Sequence, residues 1–534
     1  MKCRVFLSGC SCVLAVIGLL VTMGVSANNS FPQGVRSGDP SSEGVVLWTR
    51  LDPKLHPGTH SVTLEVARDP EFGRIIIQES QTVSSLTDHT LHINLEGRLS
   101  PDTVYYYRFR HESDVSITGR TKTLPAKDQE RSFRMAVLTC QDFSTGYFNA
   151  HQIMAGMAKR GELDLTFFDG DFTYEYASYD SDSAEILRPL TLPSRSRSAM
   201  NAADFGFLYQ NYLSDPQLQE SLASMPFILV PDDHEVADNH YWDRVHNKAG
   251  IPGKRYRHLT AAEKNQLMLD SRTAWINYNP SKAKVNRNTE DPRDLVKFFR
   301  SFQLGKMADF FVTDSRSFRD GEQIPEDAPD KTMLGIEQRD WLLDQIKSSD
   351  AHWRLWGNQT MFSRFVAYGS HLDIIPDELI NTDQWNGYIY ERGMIKDSIE
   401  SLGIKNLVVL TGDMHTSLVS YIKPFEEPDS PVNLGIELMT PSITSPNMKD
   451  EAGMFGGFSL LMDIIRMYLK DQNHHLVHFN SEKHGFAVLT INKDNLVWDV
   501  YTVPVKERLK EPEATHMLQV LYKDGVLKVV HDDG

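Results

Sequence analysis

The 534-residue chain is poor in cysteine: it has four, and three of them (Cys3, Cys10, Cys12) fall in the first dozen residues. If the N-terminal stretch is removed on export, Cys140 is the one thiol left, and an internal disulfide framework is excluded. The chain also lacks an excess of positive charge. Its formal net charge is -17, with 55 Lys and Arg against 72 Asp and Glu, and loss of Lys2 and Arg4 takes -17 to -19. Such a surface repels phosphate backbones at long range, which argues against wrapping a nucleic acid but not against a small anionic substrate beside a metal. No apolar run after the N-terminus is long enough to span a bilayer. No internal repeat or strong low-complexity segment is visible.

Lys2 and Arg4 precede an uncharged run, 5–25, ending in Val25-Ser-Ala27. This pattern reads as a signal peptide over 1–27, cleaved after Ala27, for a protein exported to the periplasm, cell surface or medium. An uncleaved anchor is the competing reading, although the strongest apolar part, 13–25, is short for a span of about 20 residues. The mature length suggests more than one domain.

From Phe31 to about Pro125, short apolar segments alternate with Gly, Pro, Asp and Ser. Val62-Thr-Leu-Glu-Val-Ala67 and Thr103-Val-Tyr-Tyr-Tyr-Arg-Phe109 have clear strand character. About seven such strands fit a small fibronectin-type β-sandwich over 28–126. No grouping of His, Cys and carboxylates stands out there, so the segment is assigned a supporting role. After a charged linker at 126–131, apolar strands alternate with helices in a layered α/β pattern over 131–505. Insertions at 177–205, 241–290 and 364–400 read as surface or rim loops. The final segment, 506–534, reads as a strand-rich extension ending in a hairpin around Lys523-Asp-Gly525.

The residues that carry chemistry recur at the C-terminal ends of the α/β strands. Phe133–Leu138 leads into Thr139-Cys140-Gln-Asp, and Leu163–Phe168 into Asp169-Gly-Asp171-Phe-Thr-Tyr174-Glu175. Phe227–Val230 leads into Pro231-Asp232-Asp233-His234-Glu235, and Asn406–Leu410 into Thr411-Gly-Asp413-Met-His415. Ligands of α/β sheets bind beyond the C-terminal ends of strands. Thiol, phenol, imidazole and carboxylate groups there suit a metal centre, whereas Cys140 taken alone is equally a buried filler, an intermolecular linker, a nucleophile or a ligand. Anionic donors favour a hard, highly charged ion such as ferric iron, and the surplus of oxygen donors leaves room for a second hard ion. Asp171 is the natural bridge between the two, and His234 is placed to donate a proton to a leaving alkoxide.

These blocks resemble the signature of the alkaline phosphatase D family, the PhoD-like metallophosphoesterases, which are related to purple acid phosphatases. Phe310-Phe-Val-Thr-Asp314-Ser-Arg316-Ser-Phe-Arg319, Trp356-Gly-Asn358-Gln359 and the opening Phe31-Pro-Gln-Gly-Val-Arg-Ser-Gly-Asp39 extend the resemblance over roughly 31–505. It implies a calcineurin-like αββα sandwich as the core behind the small β-sandwich. It also implies Fe3+ held by Cys140, Asp171, Tyr174 and His415. Ca2+ (with Mn2+, Mg2+ or Zn2+ as alternatives) would be held by Asp171, Asp233, Asn358 and Asp413. His234 and Arg316 are the expected catalytic residues, Arg316 by reaching the phosphate. Two features depart from the family pattern: Pro231 stands where tryptophan is common, and the leader lacks twin arginines.

The implied activity is phosphate-ester hydrolysis by a metal-activated water, since no Ser or Thr is presented as a nucleophile in these blocks. Small-molecule and lipid esters both remain open as substrates, including a phospholipase D-like action on phospholipid headgroups. A non-catalytic exported scaffold or adhesion protein is the alternative from another class.

Overall fold

A computed structural model describes residues 30–178, 185–321, 323–366, 382–425, 427, 429–452 and 459–533. The expected signal peptide, 1–27, lies outside the described residues, as do parts of the insertions 177–205 and 364–400. Among the described residues, no helix is long and apolar enough to cross a membrane, and Cys140 is the one cysteine, free and buried.

Two mixed sheets form the centre. The first has ten strands, with the parallel trio Phe133–Leu138, Leu165–Asp169 and Phe227–Val230 in its middle. The second has seven, built on the parallel strands Ala308–Val312, Trp353–Gly357, Leu407–Thr411 and Gly435–Met439. These strands read as nearly continuous apolar runs because both of their faces are covered. In the second sheet Phe310, Leu355 and Val408 join a core that includes Val137 and Phe167 of the first sheet. Their neighbours Phe311, Trp356 and Val409 pack instead with Leu342 and Ile346 of helix Ile336–Ser348 and with Ile395 and Ile399 of helix Ile389–Ser401. The strand period of two thus sends alternate residues to two different cores. Where the sheets meet, Phe167 and Phe310 pack edge to face at 4.9 Å. A Cβ on Gly357 would come within 2.5 Å of the Phe167 ring, so only glycine admits this approach.

The N-terminal segment forms its strands but does not stand apart. Ile75–Val83, His60–Ala67, Val104–His111, Asp114–Val115 and Gly119–Lys122 make a five-stranded sheet. Val35–Gly38, Val46–Arg50 and Thr90–Asn94 instead extend the ten-stranded sheet, Val35–Gly38 pairing in parallel with Phe227–Val230. Leu47, Leu64, Ile93 and Phe109 fill the space between the two layers. One layer of this sandwich is therefore the edge of the large sheet. At the other edge, Thr515–Lys523 and Val526–Asp532 form the expected C-terminal hairpin and pair onto Asn495–Thr502.

The insertion 241–290, expected as a rim loop, holds the 18-residue helix Ala261–Tyr278. Its start is fixed by a capping box between Thr260 and Glu263. Its far end buries Trp275 and Tyr278 and ties the two parts of the chain together. Trp48 Nε1 donates to the Asn277 carbonyl at 2.8 Å, and the buried Arg36 donates to the Tyr278 carbonyl at 2.6 Å and to Asn279 Oδ1 at 3.0 Å. Likewise, 364–400 holds helix Ile389–Ser401.

Gly38 lies at this junction, where a Cβ would collide with the Pro280 carbonyl oxygen and crowd that of Phe227. Neither obstacle is a side chain that can swing away. Gly38→Ala is therefore expected to destabilise the protein by about 1–3 kcal/mol, the usual cost of overpacking. Urea unfolding of the variant against the wild type measures this.

Candidate metal centre

The strands of the two sheets deliver their polar ends to one place. Asp171 Oδ2 lies 3.1 Å from Tyr174 Oη and 3.5 Å from Cys140 Sγ, and Tyr174 Oη lies 3.4 Å from His415 Nε2. Four donors from three strand ends thus surround a single point. The Nδ1–H of His415 donates to the Pro446 carbonyl at 2.6 Å, which leaves Nε2 facing the other donors with its lone pair. A second group adjoins the first: donor atoms of Asp171, Asp233 and His234 lie within 4.8 Å of one another, as do those of Asp232, Asp233 and Asp413. Asp171 belongs to both neighbourhoods.

The backbone is strained where these residues sit. Cys140, Asp171, Asp413 and His415 all have left-handed φ values, 54°, 60°, 62° and 52°. Non-glycine residues seldom adopt this conformation, at a cost of about 1–3 kcal/mol each. It turns each side chain off its strand and toward the space between the sheets. Gly170, at φ 87°, precedes Asp171 because a Cβ there would run into Asp232. Glu235 braces the turn: its carboxylate accepts from the backbone N–H groups of Phe172 at 2.7 Å, Asp232 at 2.9 Å and Asp171 at 3.2 Å.

The electrostatics call for cations. Burial, with Asp233, Glu235 and Asp413 nearby, raises the carboxyl pKa of Asp171 despite the opposing influence of His234. Burial raises the Cys140 thiol and the Tyr174 phenol too, and the Asp171 charge adds to both shifts. Asp233 Oδ1 is buried with no hydrogen-bond partner among the described residues, an acceptor left open for an ion. A bound metal would reverse these shifts and hold the donors ionised. The residues present fit a metal centre on the nature of the donor set and on this orphaned oxygen.

The expected catalytic residues are placed differently from one another. The Nδ1 of His234 bonds Glu175 Oε2 at 2.7 Å, and its ring lies 4.1 Å from that of Tyr174. Burial would lower its pKa, but Glu175, Asp171 and Asp233 together raise it well above the usual value. Arg316, by contrast, is buried with its guanidinium bonded to Asp232, Asp383 and Asp413 and 3.7 Å from Asp233. Its donors are committed to carboxylates rather than extended toward a ligand. Asn358 is buried with its Nδ2 on the Thr360 carbonyl at 2.5 Å, and its Oδ1 accepts from Trp385 Nε1 at 3.2 Å.

Sequence reasoning gave no role to Asp232, Glu175 or Glu235, although all three stand inside the strand-end blocks. Asp383, which joins Arg316 to Arg319, and Gln384, which bonds Asp413 and accepts from Met361 N at 2.6 Å, lie in an insertion without motif. Ser445, whose hydroxyl donates to Tyr174 Oη at 2.6 Å, gave no signal either.

Residues 135–500 match the family model described as PhoD-like phosphatase, and residues 22–125 match the PhoD-like phosphatase N-terminal domain. The chain belongs to the PhoD-like phosphatase family. It is 32% identical over 434 residues to alkaline phosphatase D of Bacillus subtilis (strain 168), covering 78% of this chain and 69% of that protein. A solved structure of PhoD superposes with a TM-score of 0.79 at 28% identity, covering 95% of this chain and 93% of the other. A purple acid phosphatase from yellow lupin seeds shares the fold at 11% identity, with a TM-score of 0.51 over 88% of this chain and 71% of that one. The chain is a PhoD-type, metal-dependent phosphoesterase, and its candidate ligand groups lie together at the strand ends.

Since Asp171 takes part in both ligand groups, Asp171→Asn is expected to deplete the metal bound at this centre and nearly abolish turnover. Glu235→Gln keeps every proposed ligand but weakens the brace, and is expected to lower metal affinity by about 10–100-fold. Metal content after dialysis against graded chelator distinguishes the two outcomes.

Proposed function

We propose that the protein hydrolyses phosphate esters by direct attack of water on phosphorus, with Fe3+ held by Cys140, Asp171, Tyr174 and His415. A second divalent ion, Ca2+ or else Mn2+, Mg2+ or Zn2+, is held by Asp171, Asp233 and Asp413. Asn358 completes that set through Oδ1, whose two lone pairs allow it to keep Trp385 as donor. When bound, the ions supply an activated water and neutralise charge on the phosphoryl oxygens. The convergence of Cys140, Asp171, Tyr174 and His415 carries the reading. The two sheets, with helices packed on the outer face of the second, support reading the core as a calcineurin-like αββα sandwich. The N-terminal charge and apolar pattern supports export.

The chain's own residues then divide the remaining work. Glu175 accepts the Nδ1 proton of His234 and fixes the ring, so that the proton on Nε2 is the one delivered to the departing ester oxygen. The new bond joins water oxygen to phosphorus, the ester P–O bond breaks, and the leaving alkoxide takes that proton. The Glu175 carboxylate against Nδ1 favours the protonated form of the His234 ring. Arg316 serves as internal countercharge to Asp232 and Asp413, holding them in place instead of gripping phosphate. No Ser or Thr nucleophile is required, so no phosphoenzyme forms.

Phospholipid esters are the second reading. Helix Ser459–Gln472 exposes Ile464 and Met467, while its Met462 and Ile465 share a core with Met414, next to His415. Exposed apolar side chains on a helix whose other face packs on Met414 suit a lipid substrate, and a panel of a monoester, a diester and phosphatidylcholine separates the readings.

Two outcomes are expected of purified protein. The iron-loaded enzyme should be coloured, through charge transfer from the Tyr174 phenolate; absence of iron by elemental analysis in an active preparation would exclude the assignment. His234→Ala should keep its metal and slow hydrolysis by about 10²–10⁴-fold. The loss should be greater for alkyl esters, whose leaving group needs the proton, than for activated aryl esters. Equal loss for both, or loss of metal, would make His234 a structural residue or a ligand.

A further inference from the structure

The N-terminal sandwich, which in sequence shows no grouping of ligand residues, brings three histidines together in space. His56 lies in the loop 51–59, His60 opens one strand and His111 closes another. Their ring centres are 4.5 Å (His56–His111), 5.0 Å (His60–His111) and 5.7 Å (His56–His60) apart. Imidazoles around a tetrahedral ion with Zn–N near 2.0–2.1 Å have ring centres about 5 Å apart.

The hydrogen bonds fix where each ring keeps its proton. Ser30 gives its hydroxyl proton to Asp114, so its oxygen accepts from His56 Nε2 at 2.7 Å. His60 Nε2 donates to the Pro57 carbonyl at 3.0 Å, and His111 Nδ1 to the Ser61 carbonyl at 3.0 Å. A neutral imidazole has one donor and one acceptor nitrogen. Each ring therefore retains one lone pair: Nδ1 of His56, Nδ1 of His60 and Nε2 of His111. Backing each ligand's N–H with an oxygen acceptor is how metal-binding histidines are oriented. His111 is 5% exposed, and its Nε2 is buried with no hydrogen-bond partner among the described residues. Glu112 lies 4.0 Å from that nitrogen, adding negative charge at the same spot.

We propose that His56, His60 and His111 form a site for one borderline divalent cation of the Zn2+ class, separate from the catalytic centre. Imidazole donors without thiolate select such ions over Ca2+ or Mg2+. The donor nitrogens are not already gathered within 4.8 Å of one another, as those of the catalytic clusters are. Binding therefore draws the half-buried His56 and His60 rings closer to His111 while their N–H groups keep Ser30 and the Pro57 carbonyl as acceptors, with water or Glu112 as the fourth ligand. The ion would clip the loop 51–59 to the hairpin formed by Val104–His111 and Asp114–Val115. Its role is to fasten the sandwich, and none of its ligands belongs to the hydrolytic machinery.

The test titrates Zn2+ alone into full-length, metal-loaded protein and into the His56→Ala/His60→Ala double variant. Wild type is expected to take up one Zn2+ more than the variant, with catalytic metal content and hydrolytic rate unchanged in both. Ser30→Ala retains all three imidazoles but loses the acceptor behind His56, and is expected to bind that extra Zn2+ about 10–100-fold more weakly. This single variant also decides the matter should the double variant fail to fold. Equal uptake by wild type and double variant, uptake only by displacement of catalytic metal, or unchanged affinity in Ser30→Ala would overturn the proposal.

Discussion

The constraint on which the site depends is the burial of like charge. Asp171, Asp232 and Asp233 are each at most 3% exposed, and the first two have carboxyl pKa values raised foremost by burial. Carboxylates gathered out of water repel one another and lose hydration, and the arrangement persists only with positive charge among them. Arg316 provides part of that charge from within the protein. Burial alone would lower its pKa, but Asp232, Asp233 and Asp413 more than offset this and raise it. The remaining deficit lies on the side of Cys140, Tyr174 and Asp171, with which no Lys or Arg forms an ion pair among the described residues. That imbalance is what makes the centre a place for metal rather than a self-satisfied ion-pair network.

Holding such a cluster together requires a frame that does not yield. The facing sheets interlock through Phe167, Phe310 and Gly357, and the strand ends they carry are fixed by Glu235 and by left-handed turns at four of the proposed ligands. Strain of this kind survives only where the surroundings over-determine it. The N-terminal segment and the helix Ala261–Tyr278 contribute to the same frame. Strand Val35–Gly38 pairs with the strand that carries Asp232 and Asp233, and Arg36 locks it to the end of that helix. The sandwich supports the centre through backbone pairing, not through a hinge or a flexible tether.

Much of the centre was legible because its ligands lie within a few residues of the ends of apolar strands. The four blocks at 139–142, 169–175, 231–235 and 411–415 stand out by composition, and the family resemblance rests on them. The helix Ala261–Tyr278 was missed, although Thr260-Ala-Ala-Glu263 is a capping signature, because its charged sequence shows little apolar periodicity. The commitment of Arg316 to three carboxylates was not legible either. Two of those partners, Asp232 and Asp413, come from other strand ends, and Asp383 comes from an insertion with no motif.

Local patterning and short spacings were enough to read most of the α/β strands, the donor types at each strand end and the family. Long-range packing settles which carboxylates share a neighbourhood, that Arg316 is bonded to three of them, that the sandwich borrows a layer from the large sheet, and that His56, His60 and His111 meet. Each of these is a contact between segments far apart in the chain. Residue type gives the chemistry a side chain can offer, but register, sheet packing and the direction of each turn determine what it meets.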